Sequence, residues 1–393
     1  MKNVLRLTSQ HLLILHRLAF FISLCYINRK SNWGECYVLE KNKKRLAWLD
    51  IAKAFTIFLV VLGHTLRGSI CQRIVYSFHV PTFFFLSGMT CRGDHFSKRI
   101  KSDFIRIMIP YYCFGIISIL VFYFLGTFVA GKFDLAINTS LGGNLWELIF
   151  ACPKGNRMKF NMPLWFLPCL FVTKLLYYVL YKLCKGSQIA VLLSSFACAI
   201  LGFIYVRYIG IRLPFNISVA LKMLAFFSLG RCFFLTLPLL EKVQFTRLKT
   251  LLSGTTILLI TGIIATLSPK VNYSGDTFPN IVSFLATATL GCLGICFISM
   301  GIDSNKFLES IGQRTLSVLV MHKFPVLFFQ TVGPFVSLLR YPDSFLGIAS
   351  AAIISALAIL LCIVAELLIR RICPFVFGDF SCLTYKKQTQ TNS

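Results

Sequence analysis

Acid is scarce in this chain. Only 14 Asp and Glu stand against 40 Lys and Arg over 393 residues, a net charge of +26. Charged residues make up 14% of the sequence, against about 25% in an ordinary soluble domain. No Cys-x-x-Cys pair occurs, and the 15 cysteines are scattered, mostly inside apolar stretches. There they behave as small hydrophobes. Cys292 and Cys296 share a helix face at i, i+4, but no His or carboxylate stands near them in sequence. Neither a metal site nor a disulfide framework is expected. There is no internal repeat and no low-complexity segment.

What is abundant is apolar. Hydrophobic residues make up 56% of the chain, and Phe alone occurs 39 times. They cluster into stretches of about 20, the length that crosses roughly 30 Å of hydrocarbon at 1.5 Å per residue. Ten spans are expected, at 48–66, 70–91, 107–130, 163–183, 188–207, 216–238, 249–268, 280–300, 312–335 and 345–369. Each is far longer than a barrel strand, so the expected fold is all-α, a polytopic integral membrane protein with about ten transmembrane helices.

The basic residues sit mainly in short loops between these spans. In a soluble protein they would suggest nucleic acid. Here they act as retention signals for one side of the membrane, so no nucleic-acid partner is expected. With residues 41–45 in the cytoplasm, twenty loop Lys and Arg fall inside and ten outside. That bias puts both termini in the cytoplasm. A cationic inner face also attracts anionic lipid headgroups or a phosphate-bearing cofactor. The organisation reads as an N-terminal extension at 1–45, a membrane domain at 46–371 and a cytoplasmic tail at 372–393. Residues 12–27 form an apolar run broken by His16 and Arg17. An over-extended start and an amphipathic interfacial helix both account for it. The connection at 131–162 is the longest, and its cations Lys154, Arg157 and Lys159 suit a cover over an external site.

Charged groups inside a span cost about 2.5–3.5 kcal/mol each on insertion scales, so each asks for a reason. The first span begins Trp48-Leu-Asp50-Ile-Ala-Lys53 and ends Gly63-His64. Lys53 and His64 are eleven residues apart, about three turns plus 20°, and so share one helix face about 16 Å apart along the axis. Asp50 falls near the same stripe. An ammonium near the inner surface suits a phosphate or pantetheine group. An imidazole further along, with an ordinary pKa of about 6.5, suits proton abstraction from a hydroxyl. The plainer reading is an i, i+3 Asp50–Lys53 pair and a histidine that only packs. His79, in the next span, shifts the balance. The two spans form a hairpin, and His64 and His79 both fall in its outer half, as two of only six histidines. His322 lies in the middle of the ninth span and is a third candidate. Trp165 suits either an interfacial anchor or stacking on a sugar face. Lys174 and Lys222 are expected to snorkel.

These residues resemble the membrane acyltransferase-3 family. Its opening signature is matched by Leu49-Asp50-Ile51-Ala52-Lys53, with ten residues between Lys53 and His64. The second-span signature is matched by Phe78 to Gly88, and the basic start of the third by Arg106-Ile-Met-Ile-Pro110-Tyr111. Leu164 to Pro168, and Ile311-Gly312 through Leu316-Ser317 to His322, continue the match, which covers about residues 45–371. The Leu164–Pro168 and Phe78–Pro81 forms are most similar to the branch named for fucose 4-O-acetylases. The resemblance implies a bacterial inner-membrane O-acyltransferase that takes acetyl-CoA or another acyl-CoA as donor substrate, with no permanently bound cofactor. The implied acceptor is a cell-surface carbohydrate or a lipid-linked glycan. His64 would be the catalytic histidine, with His79 orienting it or stabilising an oxyanion. Lys53, Arg99 and Arg106 would face the donor, and Asp50, Trp165 and His322 the acceptor. One departure is Asp103, where many relatives carry a second arginine. The rival readings are a transporter of an anionic lipid or metabolite, which would suit the intramembrane charges, and a membrane scaffold for polysaccharide assembly.

Overall fold

The computed structural model describes residues 46–91, 96–129, 140–153, 157–241 and 246–380. The expected N-terminal extension and most of the expected tail lie outside the described residues. So do Lys132, Lys154 and Lys242. Among the described residues every regular element is a helix, with one isolated antiparallel bridge between Asn272 and Thr277.

The protein is an all-α polytopic membrane protein. Among the described residues, eight helical segments are long and apolar enough to span a membrane. The first is α1, Ala47–Thr65. The second spanning segment is α3, Phe96–Asp103, continued through a π-helical turn at Phe104–Met108 into α4, Ile109–Val129. A short helix, α5 (Leu141–Phe150), sits inside the long connection. The next spans are α6 (Phe166–Leu183), α7 (Gln188–Tyr208), α8 (Ile217–Glu241), α9 (Arg247–Thr266) and α10 (Ile281–Ile302). The last is α15, Phe345–Ile372.

Two expected spans differ from this pattern. The segment expected at 70–91 is one helix, α2 (Ile70–Met89). Gln72, Arg73, Ser77 and His79 dilute its apolar run below that of the others. The segment expected at 312–335 is cut into short pieces. They are α11 (Lys306–Gln313), α12 (Thr315–Met321), α13 (Lys323–Thr331) and α14 (Gly333–Leu338). Pro325 has no N–H for the carbonyl four residues back, and Gly333-Pro334 stops the helix again. Broken backbone of this kind is tolerated at membrane depth only where protein buries it, and Val318, Val320 and His322 are all fully buried.

Helix α2 is the hub, packed on α1, α8 and α10. Its crossing with α8 is reciprocal. A Cβ on Gly88 would collide with the Phe227 carbonyl, and a Cβ on Gly230 would collide with the Phe85 carbonyl. The two Phe-x-x-Gly segments, 85–88 and 227–230, thus meet backbone to backbone. Small residues permit this approach, and a larger one has no flexible neighbour to displace. Gly88→Val or Gly230→Val should each destabilise by about 1–3 kcal/mol or more. A thermal midpoint measured by size exclusion should fall in either variant, and an unchanged midpoint in both would mean that this crossing is loose.

Two lysines expected to snorkel do not. Lys222 is 1% exposed and donates to Asp276 at 2.5 Å. Lys174 bonds Asp103, which also accepts from the Tyr178 hydroxyl at 2.6 Å. Both ammonium groups have a carboxylate within reach inside the protein. Trp165, also weighed as an interfacial anchor, is covered by protein. It is 7% exposed, in a 3-10 turn at Met162–Trp165 that leads into α6.

Candidate active site

The last turn of α1 and the first half of α2 bring His64 and His79 to one end of the bundle. His64 is half-buried and His79 is 4% exposed. Tyr76 touches both, with ring centroids 6.2 Å from His64 and 4.8 Å from His79. The imidazole closest to His64 belongs to His322, at 5.2 Å between centroids. The break between α12 and α13 delivers it there.

Backbone contacts set the state of these rings. Nδ1 of His79 lies 2.8 Å from the Val75 carbonyl. Nδ1 of His322 lies 3.0 Å from the Val318 carbonyl and 2.9 Å from that of Leu319. A carbonyl only accepts, so in each neutral ring Nδ1 carries the proton and Nε2 the lone pair. Nε2 of His322 is buried and has no hydrogen-bond partner. A buried acceptor left unpaired costs free energy, about 1–3 kcal/mol, and such a group asks for a functional reason.

Three connections close over this end. The hairpin at 270–278 is pinned by mutual bonds between Asn272 and Thr277 of 3.0 and 2.8 Å. It sets Tyr273 edge-on to His79 at 5.8 Å. The Tyr273 hydroxyl donates to the Ser77 carbonyl at 3.3 Å, the acceptor that Pro81 leaves without its helical partner. Lys270 donates to Gln72 at 2.5 Å and lies 5.0 Å above the Tyr76 ring. Burial, with Arg73 close by, pulls the Lys270 ammonium below its ordinary pKa. The second cover is the end of the long connection. Asn161 donates to the Val320 carbonyl at 2.9 Å, and Lys323 donates to the Lys159 carbonyl at 3.0 Å. The third is α13, whose Gln330 donates to the His64 carbonyl at 2.9 Å.

The opposite end carries Asp50, Lys53 and the start of α3. Asp50 is 2% exposed and pairs with Lys53 at 3.2 Å. Gly312 of α11 packs directly on the Asp50 backbone. A cavity of about 230 Å³ is lined by Lys98, Lys101, Ser102, Ile105 and Arg106. The spacing i, i+3, i+4, i+7, i+8 is one helix face. The π-turn fits Pro110, which cannot donate to the Arg106 carbonyl. Ile109 N–H bonds Phe104 instead, and such bulges recur at functional sites. The end of α15 and the chain after it pack on this side of the protein. Glu366, 3% exposed, holds Arg370 at 2.7 Å and Arg314 at 3.5 Å. Gly378, at φ +73°, abuts the Ile105 carbonyl.

A family model described as an acyltransferase domain matches residues 46–367. The chain belongs to the acyltransferase-3 family. It is a membrane acyltransferase. No curated protein and no solved structure matches it.

The acyltransferase fold gathers the expected site residues into two groups at opposite ends of α1. His64, His79 and His322 share one end, and Lys53, Asp50 and Arg106 lie at the other. Arg99 is half-buried and does not line the cavity beside Arg106, whereas Lys98 does. The helical spacing 98, 101, 105 carried that signal. Trp165 makes its ring contact with Phe166, at 6.3 Å. Tyr76, Tyr273, Gln72 and Lys270 are residues of the His64 end that sequence reasoning missed. Tyr76 and Gln72 lie on the His79 helix at i−3 and i−7, a spacing visible in the sequence. Tyr273 and Lys270 arrive from a distant loop and leave no such mark.

Proposed function

We propose that this acyltransferase moves an acetyl group from acetyl-CoA to a hydroxyl of a cell-surface or lipid-linked glycan in a bacterial inner membrane, with both termini in the cytoplasm. The observation that carries the reading is the His64–His322 pair, 5.2 Å apart, with Nε2 of His322 buried and unpartnered, in a chain of this family. His64 takes the proton of the acceptor hydroxyl as its oxygen attacks the thioester carbonyl. The C–S bond breaks, the acetyl group stays on the sugar oxygen, and the CoA thiolate receives the proton. Direct attack and an acyl-histidine intermediate both fit this arrangement. The Phe78–Pro81 and Leu164–Pro168 forms support the fucose 4-O-acetylase-like branch.

The test uses protein reconstituted in sealed vesicles, with acetyl-CoA on one side and glycan on the other. CoA should be released on the Arg106 side and acetylated glycan should form on the His64 side. Transfer only when both substrates share a side would sink the two-sided arrangement, and no CoA release at all would sink the reaction.

Lys98, Lys101 and Arg106 form the cationic face that suits the donor phosphates, and Lys53 lies at the same end of α1. Arg106→Ala should raise the KM for acetyl-CoA about ten- to a hundred-fold, the loss of one charge-assisted bond, with kcat changed far less. An unchanged KM would make Arg106 a topology signal alone.

A further inference from the structure

Cations also collect where retention signals should be few. Arg67, Arg73, Lys270, Lys323 and Arg340 all lie at the His64 end, away from the basic cavity beside Arg106. Several of them bond neutral groups: Arg73 the Thr266 carbonyl, Lys270 the Gln72 amide and Lys323 the Lys159 carbonyl. The nearby carboxylates are engaged elsewhere. Asp276 is held by Lys222 and Ser218, Asp343 accepts from the Ile70 N–H, and Glu147 accepts from the Met158 N–H. Among the described residues, cations thus outnumber carboxylates at this end.

Arg67 and Arg340 line one cavity of about 580 Å³, together with Thr65, Gln330 and Ser337. Among the described residues, no carboxylate lines it. Pockets of about 300–1,000 Å³ hold small ligands. The cavity lies against the last turn of α1, because Thr65 follows His64 and Gln330 bonds the His64 carbonyl at 2.9 Å. Arg67 is also close enough to His64 and Lys323 to act on both electrostatically.

We propose that this cavity is an anion subsite for the acceptor, so that the glycan this enzyme acylates carries a carboxylate or a phosphate. This rests on the acyl-transfer reading above. Two guanidinium forks flanking one space match the paired oxygens of either group. A neutral sugar would draw nothing from their charge, and retention rules disfavour arginines at this end unless they do something there. The anion seated between Arg67 and Arg340 leaves the rest of the sugar to reach His64. The anionic oxygens have two possible sources, an acidic sugar or the diphosphate of a lipid carrier.

The test is equilibrium binding to the full chain in nanodiscs with no donor present, so it does not depend on turnover. The probes are a glucose-terminated trisaccharide, its glucuronate-terminated counterpart and a prenyl-diphosphate-linked glucose. At least one charged probe should bind tenfold or more tighter than the neutral one. Arg67→Gln with Arg340→Gln should erase that preference, while Arg67→Lys with Arg340→Lys should retain part of it. Tighter binding of the glucuronate assigns the charge to the sugar, and tighter binding of the diphosphate assigns it to the carrier. Equal binding of all three probes overturns the proposal, as does a preference that survives the double Gln variant. Displacement of the charged probes by phosphatidylglycerol, dependent on the same arginines, also overturns it and makes the cavity a headgroup site. Should binding behave as expected while CoA is never released, only the acyl-transfer reading fails.

Discussion

His64→Gln should lower acetyl transfer by about 10²–10⁴-fold, the usual cost of losing a general base, while the protein still inserts and accumulates. Glutamine keeps a hydrogen-bonding side chain of similar reach but cannot take the proton. The surroundings of His64 give little reason for a folding defect. The residue is partly buried, and Gln330 bonds its backbone carbonyl and that of Thr65 rather than the imidazole. Those bonds survive any side-chain change. His64→Ala should therefore be as inactive as His64→Gln and nearly as stable.

The neighbouring histidines sharpen the test. His322 is fully buried with its Nδ1 fixed on two carbonyls, so His322→Ala removes volume as well as chemistry and should lower both activity and stability. His322→Asn is the more informative variant, because it can keep the backbone bond while moving the acceptor atom. His79 contacts Tyr76 and Tyr273, and its replacement should cost less than that of His64 if it only orients the site. The measurement is acetyl transfer at matched membrane abundance. Substantial activity in His64→Gln would make this histidine structural, and the proposed proton transfer would have to be abandoned even though the family assignment stands.

Apolar length alone locates most of the helices in the sequence, because crossing hydrocarbon demands about 20 residues whatever the protein does. The Lys53–His64 stripe is legible there too, because helical periodicity is rigid over three turns. The sequence is less informative where proline acts. Mean apolarity over 312–335 reads as one span, yet Pro325 and Pro334 divide it, and the break is what carries His322 to His64. The partners of buried lysines are also hidden. Nothing near Lys222 in sequence announces Asp276, because the pair closes across more than fifty residues. The small helix α5 and the hairpin at 270–278 read simply as loops, since neither has the length or period of a span.

That buried pair supports the last expectation. Asp276→Asn should destabilise the protein by about 3–5 kcal/mol, the usual cost of stranding one partner of a buried ion pair. The Lys222 side chain is 1% exposed and that of Asp276 is 0% exposed. Besides the carboxylate, Lys222 faces the Phe203 and Phe278 rings, at 5.0 and 4.6 Å. Two ring faces do not replace a full counter-charge. Asparagine is the suitable substitute because Asp276 sits at φ +53°, a left-handed conformation that Asn tolerates better than most residues. Backbone strain is thus held nearly constant and the lost charge is isolated. Ser218 still has an oxygen to donate to. The second variant removes the stranded charge as well. Lys222→Met together with Asp276→Asn should recover most of the lost stability, since an apolar side chain of similar length is at home where the lysine stem lay. Activity should follow stability, because Asp276 anchors the hairpin that holds Tyr273 against His79 and on the Ser77 carbonyl. The thermal midpoint and the transfer rate, measured together on both variants, decide the matter. Asp276→Asn at the wild-type midpoint would show that Lys222 finds other partners. A double variant as unstable as the single one would show that the charge itself was not the cause.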